Sequence, residues 1–287
     1  LLQILWGSPL KTDPTIQNET MPTSFADLEL ATVLTRLDGA VAWVVLNRPD
    51  SHNAFDEQLT DELELAWTTI RDDSAVRSVV LTASGDKAFC TGIDRNWDVP
   101  QPADPTKINA PGHRLSPKSA GLFKPVVAAV NGMACGGAFY LLGEVETIVA
   151  AETATFFDPH TTYGMTAAFE PILLVGQLPF GELARIALMG NHERMTAQRA
   201  HQIGFVQDIV PLDELHATAG RIAHAIASQP AAAVEGTVRA LWAGREKSRS
   251  EALALAPQLI IDGNRPESVA EGHAIFASGK RTDPNLR

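Results

Sequence analysis

A chain of 287 residues is long enough for one large domain, or for a core with an appended helical piece. Its 45% hydrophobic and 20% charged content is ordinary for a soluble globular protein. No apolar run approaches the roughly 18 residues that span a bilayer, so no membrane partner is expected. A formal charge of −11 argues against nucleic acid as a partner, because phosphate contacts need clustered Lys and Arg. The two cysteines, Cys90 and Cys135, have neither metal-ligand nor CxxC spacing and read as reduced, buried thiols, which suits the cytoplasm.

Residues 1–27 read as a flexible extension or leader. Leu1 to Trp6 is apolar but lacks a basic n-region, which makes a poor signal peptide. Lys11 to Thr23 is rich in Thr, Pro, Asn and Gln without a period, and Met21 offers a natural start. Val41 to Leu46 and Arg77 to Thr82 are β-branched runs that predict buried strands. Between them Leu59, Leu63, Trp67 and Ile70 fall at helical steps and predict a helix over Asp56 to Asp72. Arg95 to Gly121 carries five prolines and little periodicity, which reads as a pocket wall or lid with Trp97 and Leu115 as lining.

Pro125 to Val130 and Thr147 to Ala151 predict two more strands, separated by a short helix from Gly137 to Leu142. This alternation implies an α/β fold with parallel pairing and crossover helices. After Pro211 three helices are expected, over Leu212 to Ser228, Ala231 to Ala243 and Arg249 to Ser278. Residues 28–211 thus read as the core and 212–287 as a C-terminal helical region.

Two glycine turns stand out, Ala88 to Asp94 and Asn131 to Ala138. Each comes after an apolar strand and frees backbone N–H groups from sheet pairing. Two such donors aimed at one point would stabilise an enolate oxygen. With Leu46-Asn47-Arg48-Pro49, Asn53-Ala54, Phe89-x-x-Gly92-x-Asp94, the run from Lys124 to Gly132, Pro159 with Gly164, Ile203 to Val206, and Glu271-Gly272 with Phe276, these turns resemble the crotonase superfamily, the enoyl-CoA hydratase/isomerase group, over residues 28–282. The resemblance implies a spiral of ββα repeats closed by C-terminal helices that build a homotrimer, or a hexamer as a dimer of trimers. It implies an enzyme acting on an acyl-CoA thioester, with the N–H groups of Ile93 and Gly137 as oxyanion donors. Coenzyme A would enter as part of the substrate, near Arg48, Ala54, Thr91, Ile93 and Lys280 with Arg281. Nothing points to a metal or to a further cofactor.

Residue by residue, the resemblance places Tyr140 and His160 where familiar hydratases carry their two glutamates. Tyr140 can donate a hydrogen bond but its phenol titrates near ~10, too high for a base at neutral pH. His160, with an ordinary pKa of about 6.5, can serve as base or acid. Glu170 is expected to face the pocket and orient His160, with Asp158 the competing orienter; Glu144 shares the Tyr140 helix face. Asp94 reads as a structural cap. Three functions are open: an acyl-CoA enzyme catalysing hydration, isomerisation or thioester hydrolysis; a β-diketone carbon–carbon hydrolase of the oxocamphor hydrolase branch, which Ala154 to His160 with Gly164 also resembles; and a non-catalytic acyl-CoA binding protein.

Overall fold

The computed structural model describes residues 24–98, 112–279 and 284. Most of the expected leader, the centre of the expected lid, and Lys280 with Arg281 lie outside the described residues. Ten strands are formed, β1 (Val33–Asp38), β2 (Val41–Leu46), β3 (Ser78–Ala83), β4 (Ala88–Cys90), β5 (Val126–Val130), β6 (Met133–Cys135), β7 (Thr147–Ala151), β8 (Thr155–Phe157), β9 (Met195–Thr196) and β10 (Asp208–Val210) among the described residues. The helices among them are α1 (Glu57–Asp72), α2 (Gly112–Leu115), α3 (Ala138–Leu142), α4 (Phe169–Leu174), α5 (Phe180–Met189), α6 (Ala197–Gln202), α7 (Leu215–Ala227), α8 (Ala231–Glu246), α9 (Arg249–Gly263) and α10 (Pro266–Ala277).

The strands form two sheets, a six-stranded one in the order β1-β2-β3-β5-β7-β10 and a four-stranded one in the order β4-β6-β8-β9. In the large sheet β2, β3, β5, β7 and β10 are mutually parallel, and all six residues of β3 are buried, as expected of a strand covered on both faces. β1 is antiparallel to β2 and is not among the strands expected from sequence; its link is Gly39-Ala40, with Gly39 at φ +59°. Helix α1 starts where Asp56 accepts the Leu59 N–H at 2.9 Å and buries Leu59, Leu63, Trp67 and Ile70 completely. Helix α7 covers the opposite face of the large sheet, setting Leu215, Ala219 and Ala223 against Val80, Val127 and Val149.

Two expectations are corrected. The single helix over Arg249 to Ser278 is two helices, because Pro266 lacks an N–H and forces the preceding Arg265 into extended backbone (ψ 148°). Leu115 is a core residue: it is fully buried in the main cluster, and its carbonyl accepts the Trp67 indole N–H at 2.7 Å. Trp97 lies half-buried and edge-on to Phe55, with ring centroids 6.4 Å apart. No helix among the described residues is long and apolar enough to cross a membrane.

One buried polar knot ties α8 to the core. Glu146 accepts from Trp242 Nε1 at 2.6 Å, from the Val126 N–H at 2.7 Å, and from the fully buried Lys118 ammonium at 3.0 Å. Removing its carboxylate strands the Lys118 charge, so Glu146→Ala should destabilise the fold by about 3–5 kcal/mol. Trp242→Phe, which deletes one hydrogen bond and keeps most of the packing, should cost about 1 kcal/mol. Urea unfolding of both variants measures the difference.

Candidate active site

The small sheet positions the site. β4, β6 and β8 run parallel, with Cys90 opposite Ala134 and Cys135 opposite Phe157, so all three chains leave the sheet at one edge. The chemistry-bearing segments begin there: Thr91-Gly92-Ile93 after β4, Gly136-Gly137 after β6 and Asp158-Pro159-His160 after β8. Gly92 turns at φ +83° and Gly136 at φ +53°, a region that side-chain-bearing residues avoid. The first two turns touch, since a Cβ on Gly92 would stand 2.8 Å from the Gly137 nitrogen. Phe55 donates its N–H to the Gly92 carbonyl at 2.9 Å and accepts from the Asp94 N–H at 2.8 Å, bracketing Ile93. Neither the Ile93 N–H nor the Gly137 N–H has an acceptor among the described residues.

His160 stands beside these amides: its Cε1 is 3.6 Å from where a Gly136 Cβ would be. The Asp158 carboxylate accepts from the His160 main-chain N–H at 3.0 Å and holds Nδ1 at 2.5 Å. A carboxylate only accepts, so Nδ1 carries the proton and the neutral ring presents its lone pair at Nε2. That nitrogen lies 3.8 Å from Glu170 Oε1. The hydrogen bond that His160 donates to Asp158 raises the His160 pKa above its ordinary value, against the opposing effect of burial, and the charges of Asp158 and Glu170 add to the rise. The expected order is therefore reversed: Asp158 orients the ring, and Glu170 sits across its free nitrogen.

Glu170 is buried in the first turn of α4 and also meets Tyr140. Burial pushes the Tyr140 phenol well up, and the charge of Glu170 and a hydrogen bond to it push further, so the hydroxyl stays protonated as a donor. The Tyr140 ring packs between Phe55 (6.4 Å) and Phe169 (6.3 Å), over Gly112, where a Cβ would come within 2.6 Å of it. Asp158, His160 and Glu170 can bring one ligand atom each within 4.8 Å of one another. Within the trio, Nδ1 of His160 is already engaged by Asp158 Oδ1. Glu144 is withdrawn from this group: Ser119 donates to it from its N–H at 2.8 Å and from Oγ at 2.7 Å.

Outside the amides opens a cavity of about 670 Å³, lined among others by Ala54, Thr91, Ile93, Arg95, Tyr163 and Arg194. Arg95 donates to the Tyr163 hydroxyl at 2.8 Å, and Arg194 lies over the Phe157 ring at 4.4 Å. Neither guanidinium has a carboxylate partner among the described residues. Arg48 differs from expectation. It is held by Asp56 and Asp94, both at 2.9 Å, and donates to the Ala54 carbonyl, so its charge is neutralised inside the protein. Asp94 caps its own turn by accepting from the Asn96 N–H at 2.9 Å. Burial raises both Cys90 and Cys135 to about 12, leaving them as unreactive thiols. Sequence alone does not single out Arg95, Arg194 or Phe55; the one advance signal for Asp158 is its place two residues before His160.

Residues 36–283 match the sequence profile described as Enoyl-CoA hydratase/isomerase. A short-chain-enoyl-CoA hydratase of Clostridium acetobutylicum is 31% identical over 257 residues, covering 89% of this chain and 98% of that protein. An (E)-benzylidenesuccinyl-CoA hydratase of Thauera aromatica is 29% identical over 261 residues, covering 89% and 98%. The crystal structure of an enoyl-CoA hydratase/isomerase from Mycobacterium paratuberculosis superposes with a TM-score of 0.79 at 35% identity, over 90% of this chain and 100% of that one. The fold, its parallel strand ends and these relatives agree: this chain belongs to the enoyl-CoA hydratase/isomerase family of the crotonase superfamily.

Proposed function

We propose that this protein acts on an acyl-CoA thioester whose carbonyl oxygen is received by the Ile93 and Gly137 N–H groups, with His160 moving the proton. The observation that carries this reading is the convergence of two unpartnered amides beside an imidazole pinned by a carboxylate. Charge developing on the oxygen meets donors already in place, and a proton on the adjacent carbon meets His160 Nε2. Glu170, 3.8 Å from that nitrogen, supplies a second station to which a proton or a water can be passed. Tyr140 and His160, at the positions the two hydratase glutamates take elsewhere, divide the work into a fixed donor and a titrating base. One group removing a proton and another returning it fits hydration or double-bond isomerisation better than thioester hydrolysis.

The nucleotide end of coenzyme A would lie in the outer cavity, its phosphates on Arg95 and Arg194, with Ala54 and Thr91 alongside. The apolar residues left exposed on the last helices, Leu241, Ile260, Ile261 and Phe276, fit a homotrimer or a dimer of trimers. Two buried thiols fit a reducing, cytoplasmic setting. A β-diketone hydrolase is the second reading, favoured by the Asp158–His160 pair, which is also built to activate water. The arginines discriminate, because that substrate carries no phosphate.

His160→Ala should lower kcat by about 10²- to 10⁴-fold on a 2-enoyl-CoA with little change in KM, measured by steady-state kinetics. As a base His160 must be neutral, so activity should rise with pH through a pKa above the ordinary ~6.5. Asp158→Asn removes the group that stabilises the imidazolium and should move that limb to lower pH, as read from the kcat/KM profile. Replacing Arg95 and Arg194 together by Ala should raise KM for the acyl-CoA by about 10- to 100-fold, as expected for lost charged hydrogen bonds. The same thioester truncated to its pantetheine arm should be turned over unchanged by that variant. Equal effects on both substrates would remove the two arginines from nucleotide recognition.

A further inference from the structure

Two amides from separate stretches of chain form one oxyanion site only if their separation is held. We infer that Phe55 holds it, as a positioning residue that grips the Ile93 donor through its main chain and the Gly137 donor through its ring. The inference rests on the acyl-CoA reading above for its kinetic consequence, and on geometry alone for the positioning itself.

The main-chain grip comes from peptide planarity. In a trans peptide the C=O and N–H point in opposite directions. Gly92 O and the Ile93 N–H belong to one such plane, and Gly92 O is fixed on the Phe55 N–H at 2.9 Å. The Ile93 N–H is thereby turned away from Phe55. The Asp94 N–H, donated to the Phe55 carbonyl at 2.8 Å, closes the bridge on the other side of Ile93 and prevents the plane from rotating.

The ring grip is read from Gly137. A Cβ there would lie 2.5 Å from Phe55 Cε1 and 2.6 Å from Cζ, so the ring edge already fills that space against the Gly137 backbone. Phe55 is only 2% exposed and cannot swing aside. Trp97 (79°) and Tyr140 (62°) stand steeply against it, each with centroids 6.4 Å away, an arrangement favoured by aromatic quadrupoles. Gly137 is glycine because Phe55 occupies its side-chain position, and the two turns meet at the spacing the ring sets.

The test is Phe55→Ala and Phe55→Leu in the full chain, with crystal structures, kinetics, and the infrared stretch of an unreactive saturated acyl-CoA carbonyl on binding. In Phe55→Ala kcat should fall about 10- to 100-fold, a part of the loss seen when a whole oxyanion donor is removed. KM should stay within about threefold, because the grip acts on the transition state more than on the bound substrate. The carbonyl downshift should shrink, the pH limb set by His160 should stay in place, and the Ile93–Gly137 amide separation should widen. Phe55→Leu, which keeps most of the volume, should recover part of kcat and of the downshift. If Phe55→Ala does not fold, Phe55→Leu measured against wild type carries the same comparison. A variant with wild-type kcat or an unchanged downshift overturns the inference. If wild type binds no acyl-CoA, the functional reading fails by itself. The two crystal structures then decide the positioning, an unchanged amide separation overturning it.

Discussion

The site depends on one constraint: three parallel strands of a small sheet must end in register at the same edge. An N–H paired in the sheet ladder offers no donor to a ligand. An amide becomes free only where the chain leaves the ladder. β4 and β6 leave it through glycines at positive φ, packed so closely that a Cβ on Gly92 would strike the Gly137 nitrogen. The register of β8 against β6 then delivers Asp158 and His160 to the same edge. A slip of one residue in the β6–β8 pairing would turn the side chains of β8 to the other face and part the imidazole from the amides.

The electrostatics are divided as finely as the backbone. Two buried carboxylates face the two nitrogens of one imidazole, and they are not equivalent. Asp158 is two residues from His160 and bonded to both its main chain and Nδ1, so it fixes tautomer and orientation. Its second oxygen, Oδ2, is buried without a hydrogen-bond partner among the described residues, an arrangement that ordinarily costs about 1–3 kcal/mol. The protein bears that cost where it pins the ring. Glu170 comes from another helix and stands off Nε2 while also meeting the Tyr140 hydroxyl. A phenol driven further up by burial and by that carboxylate stays a hydrogen-bond donor and cannot become a base at neutral pH.

Much of this was legible in the chain, and the failures have physical causes. β-Branched runs and helical spacing marked β2, β7 and α1 almost to their ends, because each buries a continuous apolar face. The glycine turns were readable because their conformations admit few other residues. β1 escaped notice because an edge strand with alternating exposure carries a weaker apolar signal than a doubly covered one. The break at Pro266 was a local signal overridden by an apparently continuous helical stretch. Arg48 shows what sequence leaves out: its partners Asp56 and Asp94 are brought to it by the fold, so its guanidinium is ion-paired in space. Arg95 and Arg194 are the converse, a pair that exists only once β4 and β9 belong to one sheet.

Under the acyl-CoA reading proposed above, Arg95 and Arg194 would reconcile a net charge of −11 with a polyphosphate ligand. Distant surface charges are screened beyond about 8–10 Å at ordinary ionic strength, so affinity is decided by the groups at the cavity mouth. Arg194 rests on an aromatic face, and Arg95 on the ring and hydroxyl of Tyr163, which orient each guanidinium without cancelling its charge. Phosphate contacts made there would be the same in the bound substrate and in the transition state, and would lower KM without speeding the chemistry. On the same reading, the amides of Ile93 and Gly137 would meet a charge that grows only as the reaction proceeds, and would act on kcat. Binding at the rim and catalysis at the strand ends are assigned on that reading to different residues. Such a separation would let a fold keep an oxyanion site while the side chains around it, in the proposed reading Tyr140, His160 and Glu170, set the reaction it serves.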